Sequence, residues 1–218
     1  MGISMPMPNL LREFGMFHYL TIREDCILFG GEKVVLHFLP HMVSRYVYLD
    51  KVFGPDHGLV EFLASKRAGH EFVAAHGAKL QKSLVGVVDL SCKVLSAFGW
   101  GAFRTIKVDE QNNFMLLEAQ RSTFAEEVKA RHGPQPEPID WMLAGLLAGA
   151  QEFYTKRKTY AIELNCAAQK DTQRCTFLST SPEDIVSQTK RFAPEKAKWA
   201  ADVIVRMQKL EAKVEACT

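Results

Sequence analysis

No charge of one sign dominates this chain. Its 218 residues hold 27 Lys and Arg against 25 Asp and Glu, a formal net charge of +2, with the two signs interleaved. A basic face for nucleic acid or an anionic membrane is therefore not expected. Long apolar runs are missing too: the best stretch, Trp141 to Ala150, falls short of the roughly 18 residues of a spanning helix. The N-terminus has no basic segment leading into an apolar core, and Pro6 stands where a myristoylation pattern needs Ser or Thr. Cysteine is sparse: Cys26, Cys92, Cys166, Cys175 and Cys217 are an odd, scattered set, unlike a secreted disulfide framework and suited to a reducing cytoplasm. Neither a Gly-rich phosphate loop after a strand nor a Gly-x-Ser-x-Gly elbow is present. A Ser/His/Asp constellation and a dinucleotide fingerprint are absent as well.

What is present is an ordinary globular composition, 47% apolar and 24% charged, long enough for one well-buried domain. Alternation at His18–Ile22, Cys26–Phe29 and Val34–Leu36 suggests short strands, a β arm over residues 1–36. Helical spacing follows at Met42 to Leu49, at Leu59 to Val73 and from Leu80 to Phe98, where Gly99-Trp100-Gly101 ends the run. Period-two segments at Phe103–Val108 and Phe114–Glu118 predict a hairpin about the Asp109–Asn113 turn. A Pro-rich loop, Pro134 to Pro138, then leads into a helix from Asp140 to Thr155. Strands at Tyr160–Leu164 and Arg174–Leu178 complete an α/β (α+β) fold with a four-stranded antiparallel sheet backed by helices, over residues 37–180.

Residues 181–218 read as a helical extension. Ser181-Pro182-Glu183-Asp184 and Ala193-Pro194-Glu195 resemble helix starts. The last helix, Pro194 to Ala216, carries Val203, Met207, Leu210, Val214 and Cys217 at alternating steps of four and three. An amphipathic helix packed on its own domain and a short dimer seam both fit that pattern.

The second hairpin bears a thiol at each rim, Cys166 and Cys175, with Glu163 three residues before the first. Soft and anionic groups gathered in this way suit a divalent metal, although the spacing lacks a CxxC knuckle. Strict alternation puts Glu163 and Cys166 on opposite faces, so joining them requires a β-bulge. A fourth ligand must come from elsewhere. Asp140 is the candidate, and its position equally suits an N-cap. His37 and His41 stand at an i, i+4 step interrupted by Pro40; with His70 and His76 they read as surface or capping residues.

The series Gly99-Trp100-Gly101, Pro138-Ile139-Asp140-Trp141-Met142-Leu143-Ala144-Gly145, Glu163-Leu164-Asn165-Cys166 and Cys175-Thr176-Phe177 resembles the 4-vinyl reductase domain. That family includes the aromatic-sensing modules of bacterial phenol and xylene regulators, a bacteriochlorophyll-biosynthesis protein and stand-alone archaeal proteins. Its fold is related to a subunit family of the TRAPP tethering complex. The resemblance covers Val35 to Leu178 and is strongest after Phe98. It implies a structural zinc ion held by Glu163, Cys166 and Cys175, with Asp140 standing where the sensors have a Cys. The turn departs from the sensors by one extra residue and by Lys170-Asp171 where Gly-Asp is common.

Phe98, Trp100, Phe103, Phe114, Phe124, Trp141 and Phe153 supply aromatic surface for a pocket between the helices and the sheet, though aromatics at these periods are ordinarily core. The resemblance implies a hydrophobic or aromatic small molecule there, but the His with which the sensors orient phenol has no counterpart that can be placed, the nearby helix having Ser91 and Cys92 instead, so phenol itself is not expected. The resulting reading is a cytoplasmic, homodimeric, ligand-responsive regulatory module that acts through a separate effector protein. A tetrapyrrole-binding accessory of (bacterio)chlorophyll synthesis and a TRAPP-like scaffold without ligand are the alternatives. An enzymatic role is not favoured, because vinyl reduction needs a hydride source.

Overall fold

The computed structural model describes residues 20–22, 27–29, 32–34, 39–54, 56–80, 83–97 and 99–216, with side chains in all of these except 20–34, 76–80, 94 and 97. Three short strands, β1 (Leu20–Ile22), β2 (Ile27–Phe29) and β3 (Glu32–Val34), form an antiparallel sheet in chain order. Helices α1 (Leu39–Phe53), α2 (Asp56–Leu80) and α3 (Leu84–Ala97) follow. Pro40 falls in the first turn of α1, where its missing N–H costs nothing. Strands β4 (Ala102–Asp109) and β5 (Phe114–Gln120) form the first hairpin; β6 (Tyr160–Asn165) and β7 (Arg174–Thr180) form the second. The main sheet is four-stranded and antiparallel throughout, as expected, and its strand order is β4-β5-β7-β6.

One helix escaped the sequence reading: α4, Thr123–His132, lies between β5 and the Pro-rich loop. Its signs were all present. Ser122 is the N-cap, accepting a hydrogen bond from the Ala125 amide; Phe124, Ala125 and Val128 are the buried face; and Gly133, at φ 82°, ends it. Helix α5 (Trp141–Thr155) follows the Pro-rich loop. At the C-terminus α6 (Ile185–Phe192) begins one turn later than Ser181-Pro182 suggested, because Asp184 is its N-cap and Ser181 donates a 2.6 Å hydrogen bond to the Asp184 carboxylate. A 3-10 turn, Pro194–Lys196, then opens α7 (Ala197–Glu215).

The core is built on α2 and α5, which pack along their length and run in the same direction. Gly145 and Gly149, one turn apart, allow this. A Cβ on Gly145 would stand 2.3 Å from the Phe62 carbonyl oxygen, and one on Gly149 would stand 1.9 Å from that of Lys66. The first six residues of β5 are all buried, so both faces of this inner strand are covered. The edge strand β4 alternates between exposed and half-buried and carries a bulge between Thr105 and Lys107. Val203, Ile204 and Met207 of α7 are buried in the protein's own core with Leu210 packed against it, so the first half of the expected seam serves intramolecular packing; Val214 is exposed, and Cys217 lies outside the described residues. No helix among the described residues is long and apolar enough to cross a membrane.

Candidate metal centre and adjoining cavity

Glu163, Cys166 and Cys175 come together as one buried cluster whose ligand atoms all lie within 4.8 Å of one another. The required bulge is there: Glu163 pairs with Phe177 while Asn165 pairs with Thr176, so one extra residue turns Glu163 and Cys166 to the same side. The turn that carries the thiols is tied down from several directions. The Ala167 amide donates to Cys175 Sγ at 3.3 Å, and the Cys166 amide donates to Gln169 Oε1 at 3.1 Å. Lys196 reaches the same Gln169 oxygen at 3.2 Å, and the Lys129 ammonium donates to the carbonyls of Ala167, Gln169 and Lys170. Sequence reasoning missed Lys129 because it missed α4, whose periodic apolar face was the available signal.

Glu163 also reaches the start of α5. Its Oε2 accepts hydrogen bonds from the amides of Ile139 at 3.1 Å and Asp140 at 2.9 Å, two donors left orphaned at a helix N-terminus. Asp140 is the N-cap, its Oδ1 accepting from the Leu143 amide at 3.2 Å. Its carboxyl is not among the three donors that close to within 4.8 Å, although it lies beside them. Two carboxylate oxygens, Asp140 Oδ2 and Glu163 Oε1, are buried without a hydrogen-bond partner among the described residues.

This concentration of acidic groups is electrostatically uncomfortable. Burial, and after it the Glu163 charge, pushes Asp140 up to about 8. Burial, then the Cys166 charge, holds Glu163 well above the usual carboxylate range. Cys175 is raised by the hydrogen bond it shares with Cys166 and then by burial. Cys166, which burial alone would raise, is brought below the ordinary thiol value by that bond and by backbone donors. Unpaired buried anions cost several kcal/mol, and a divalent cation among two sulfurs and free carboxylate oxygens removes the penalty. The donor set therefore fits a metal ion, and its thiolate content favours zinc over hard cations.

Beside the cluster lies a cavity of about 90 Å³, bordered by Met42, Tyr46, Phe124, Ile139, Asp140 and Met142 with the Arg45–Glu61 ion pair and His41. Tyr46 meets Phe124 edge-on at 5.8 Å and His57 at 4.9 Å. Burial and then Asp50 hold the Tyr46 hydroxyl above the usual phenol range. Of the seven aromatics expected to line one pocket, Phe124 borders this cavity and the five others that the structure describes disperse. Phe114 stacks on Phe192 at 5.8 Å, Trp141 lies 6.2 Å from Trp199, and Phe153 meets His70 edge-on at 5.5 Å. Phe103 packs at the core margin, Trp100 is half-buried, and Phe98 lies outside the described residues. Helical and strand periods gave these residues different faces, which residue type alone does not reveal. Cys92 is buried, its thiol pushed up to about 11 by burial, with Sγ 3.9 Å from Thr105 Oγ1.

No family model matches the sequence, and no curated protein matches it. In three dimensions the chain is similar to the phenol-responsive sensory domain of the transcription activator PoxR, solved with phenol. The TM-score is 0.71 at 13% identity, over 94% of this chain and 98% of that one. A vinyl-4-reductase family protein from Methanocaldococcus jannaschii aligns with TM-score 0.43 and 16% identity, over 82% of this chain and 98% of that one. The chain has the fold of that sensory domain, the mixed α/β fold with a four-stranded antiparallel sheet expected from its sequence.

Proposed function

We propose that this chain is a small-molecule-binding sensor module. In this reading a structural zinc ion, held by Glu163, Cys166 and Cys175 with Asp140 lending its free oxygen, pins the start of α5 to the β6–β7 hairpin. The observation that carries it is the buried cluster of three donors within 4.8 Å, with one oxygen of Glu163 and one of the neighbouring Asp140 lacking hydrogen-bond partners among the described residues. When bound, the ion supplies charge neutralisation and folding energy, since a complete ligand set leaves no position for catalysis. The fold shared with a phenol-responsive domain supports the sensor role. The ligand chamber we assign is the cavity beside Asp140, with apolar walls and a few polar groups for orientation. At about 90 Å³ it is smaller than the roughly 150 Å³ apolar cavity that admits benzene. Uptake of an aromatic molecule then separates α1 from α4 and α5, and that movement is what a separate effector protein or the second chain of a homodimer reads. A tetrapyrrole needs a far larger chamber, which weighs against the pigment alternative.

Elemental analysis of the purified protein tests the metal: one zinc per chain is expected, lost in Cys166→Ser and in Cys175→Ser and weakened in Asp140→Asn. A wild-type protein that is folded, metal-free and indifferent to chelator would sink the reading. A thermal-shift panel of phenols and other small aromatics tests the chamber, with Phe124→Trp as the variant that fills it. Absorbance in the Soret region reports the pigment alternative, and a ligand-free, unresponsive protein reports the scaffold.

A further inference from the structure

A second, larger concavity lies outside the metal centre. A groove of about 580 Å³ runs between the flank of α4 and the β6–β7 turn, and its wall carries Arg121, Lys129, Thr172, Gln173 and Arg174 with a single carboxylate, Glu126. Its volume lies in the roughly 300–1,000 Å³ range of small-molecule sites, but its lining is polar and cationic, unlike the chamber beside Asp140. Two of its three cations are fixed by the protein. Lys129 is bound to three turn carbonyls, and Arg174 is paired at 3.2 Å with Glu118, which also binds Arg104. Arg121 is different: its guanidinium is exposed and makes no ion pair or hydrogen bond among the described residues. It stands at the β5–α4 junction with φ 55°, a left-handed conformation that costs a non-glycine residue energy. Gly101 presses on it from behind, since a Cβ there would lie 2.9 Å from the Arg121 carbonyl oxygen.

We infer that this groove is a binding site for a small organic polyanion, bearing phosphate or clustered carboxylate groups, with Arg121 as its principal contact. A guanidinium can present paired N–H donors to two oxygens of one phosphate or carboxylate. Lys129 and Arg174, already oriented, supply positive potential along the groove, and Gln173 supplies a neutral donor, whereas the Thr172 hydroxyl is spent on the Arg174 carbonyl. Glu126 opposes an anion and so sharpens the test. The site is independent of the metal reading, although its wall is the turn between Cys166 and Cys175, so an occupant also braces that turn.

The test is isothermal titration of the full chain as purified, with inorganic pyrophosphate in one arm and citrate in the other, which separates phosphate from carboxylate sources. Saturable one-to-one binding that weakens with added salt is expected in at least one arm. Arg121→Asn removes the charge while tolerating the left-handed backbone and should weaken binding tenfold or more. Glu126→Gln should tighten it several-fold, and Arg67→Gln, on α2, should leave it unchanged. Circular dichroism checks that each variant is folded. Absence of saturable binding in both arms would overturn the proposal. So would equal weakening by Arg121→Asn and Arg67→Gln, or binding of an acidic peptide but of neither small anion.

Discussion

The two oxygens of Glu163 differ: Oε2 holds the Ile139 and Asp140 amides, and Oε1 is buried with no hydrogen-bond partner among the described residues, free for the role in metal binding that we propose. Two substitutions separate these roles. Glu163→Gln keeps an acceptor for the amides and removes the charge, so the fold should persist while zinc affinity falls at least tenfold, measured by competition with a chromogenic chelator. Glu163→Ala removes both. Two buried amides left unpaired at about 1–3 kcal/mol each should lower the melting temperature by roughly 4–24 °C at the 2–4 °C per kcal/mol typical of a chain this size. The residue types of the cluster were legible in sequence as two thiols and a carboxylate near one turn, and even the need for a bulge followed from strand alternation. The seating of the turn was not, because Lys129, Gln169 and Lys196 come from three segments whose meeting depends on how α4 and α7 pack.

Among the elements, α2 and α5 carry the most instructive contrast. An exposed helical Gly→Ala change gains about 1 kcal/mol from propensity, yet Gly149→Ala would drive a methyl to 1.9 Å from the Lys66 carbonyl oxygen, which belongs to backbone and cannot swing aside. The helices must separate, and the net effect should be a loss of about 2 kcal/mol or more by urea denaturation, since overpacking costs about 1–3 kcal/mol or more. Helix α7 is fastened by a different device. Glu211 accepts from Lys66 at 3.1 Å and Lys158 at 2.6 Å and from the Tyr160 hydroxyl, while Lys66 also pairs with Glu152 at 2.9 Å. Burial pulls the Glu211 carboxyl upward, but the Lys158, Tyr160 and Lys66 bonds together hold it below the usual range. Its folded value therefore lies under the unfolded value of about 4.3. The stability it gives is fully present above that pH and is lost as pH falls through the folded value. The stability difference between wild type and Glu211→Gln should be about 2 kcal/mol at pH 7, the order of a charged hydrogen bond, and should shrink toward pH 3. The apolar stripe of α7 was plain in sequence; that its first half docks inward, with Val203 and Met207 buried, was one of two packings the stripe allows.

For the molecule as a whole, metal removal is the most telling perturbation, because the ion we propose joins β6, β7 and the start of α5. Chelation should lower the melting temperature by about 10 °C or more, since structural zinc binding energy is folding energy of several kcal/mol, and hydrogen exchange should rise first in residues 139–143 and 166–175. If the proposed homodimer forms, light scattering will report the mass of two 24.5 kDa chains, and a ligand of the chamber will shift that equilibrium. By itself the sequence determined the local elements and their order, α4 apart, because periodicity, caps and turn residues act within a few positions of the chain. It also determined which side chains can ligate a metal, since softness and charge belong to the residue. Tertiary structure alone decided which of those side chains meet and which aromatics share a wall. It decided, too, that the larger groove lies between α4 and the turn with three cations on its wall. Those outcomes depend on the approach of α5 to α2 and of α4 to the second hairpin, and such long-range packing is set by the summed fit of many surfaces rather than by any short stretch of residues.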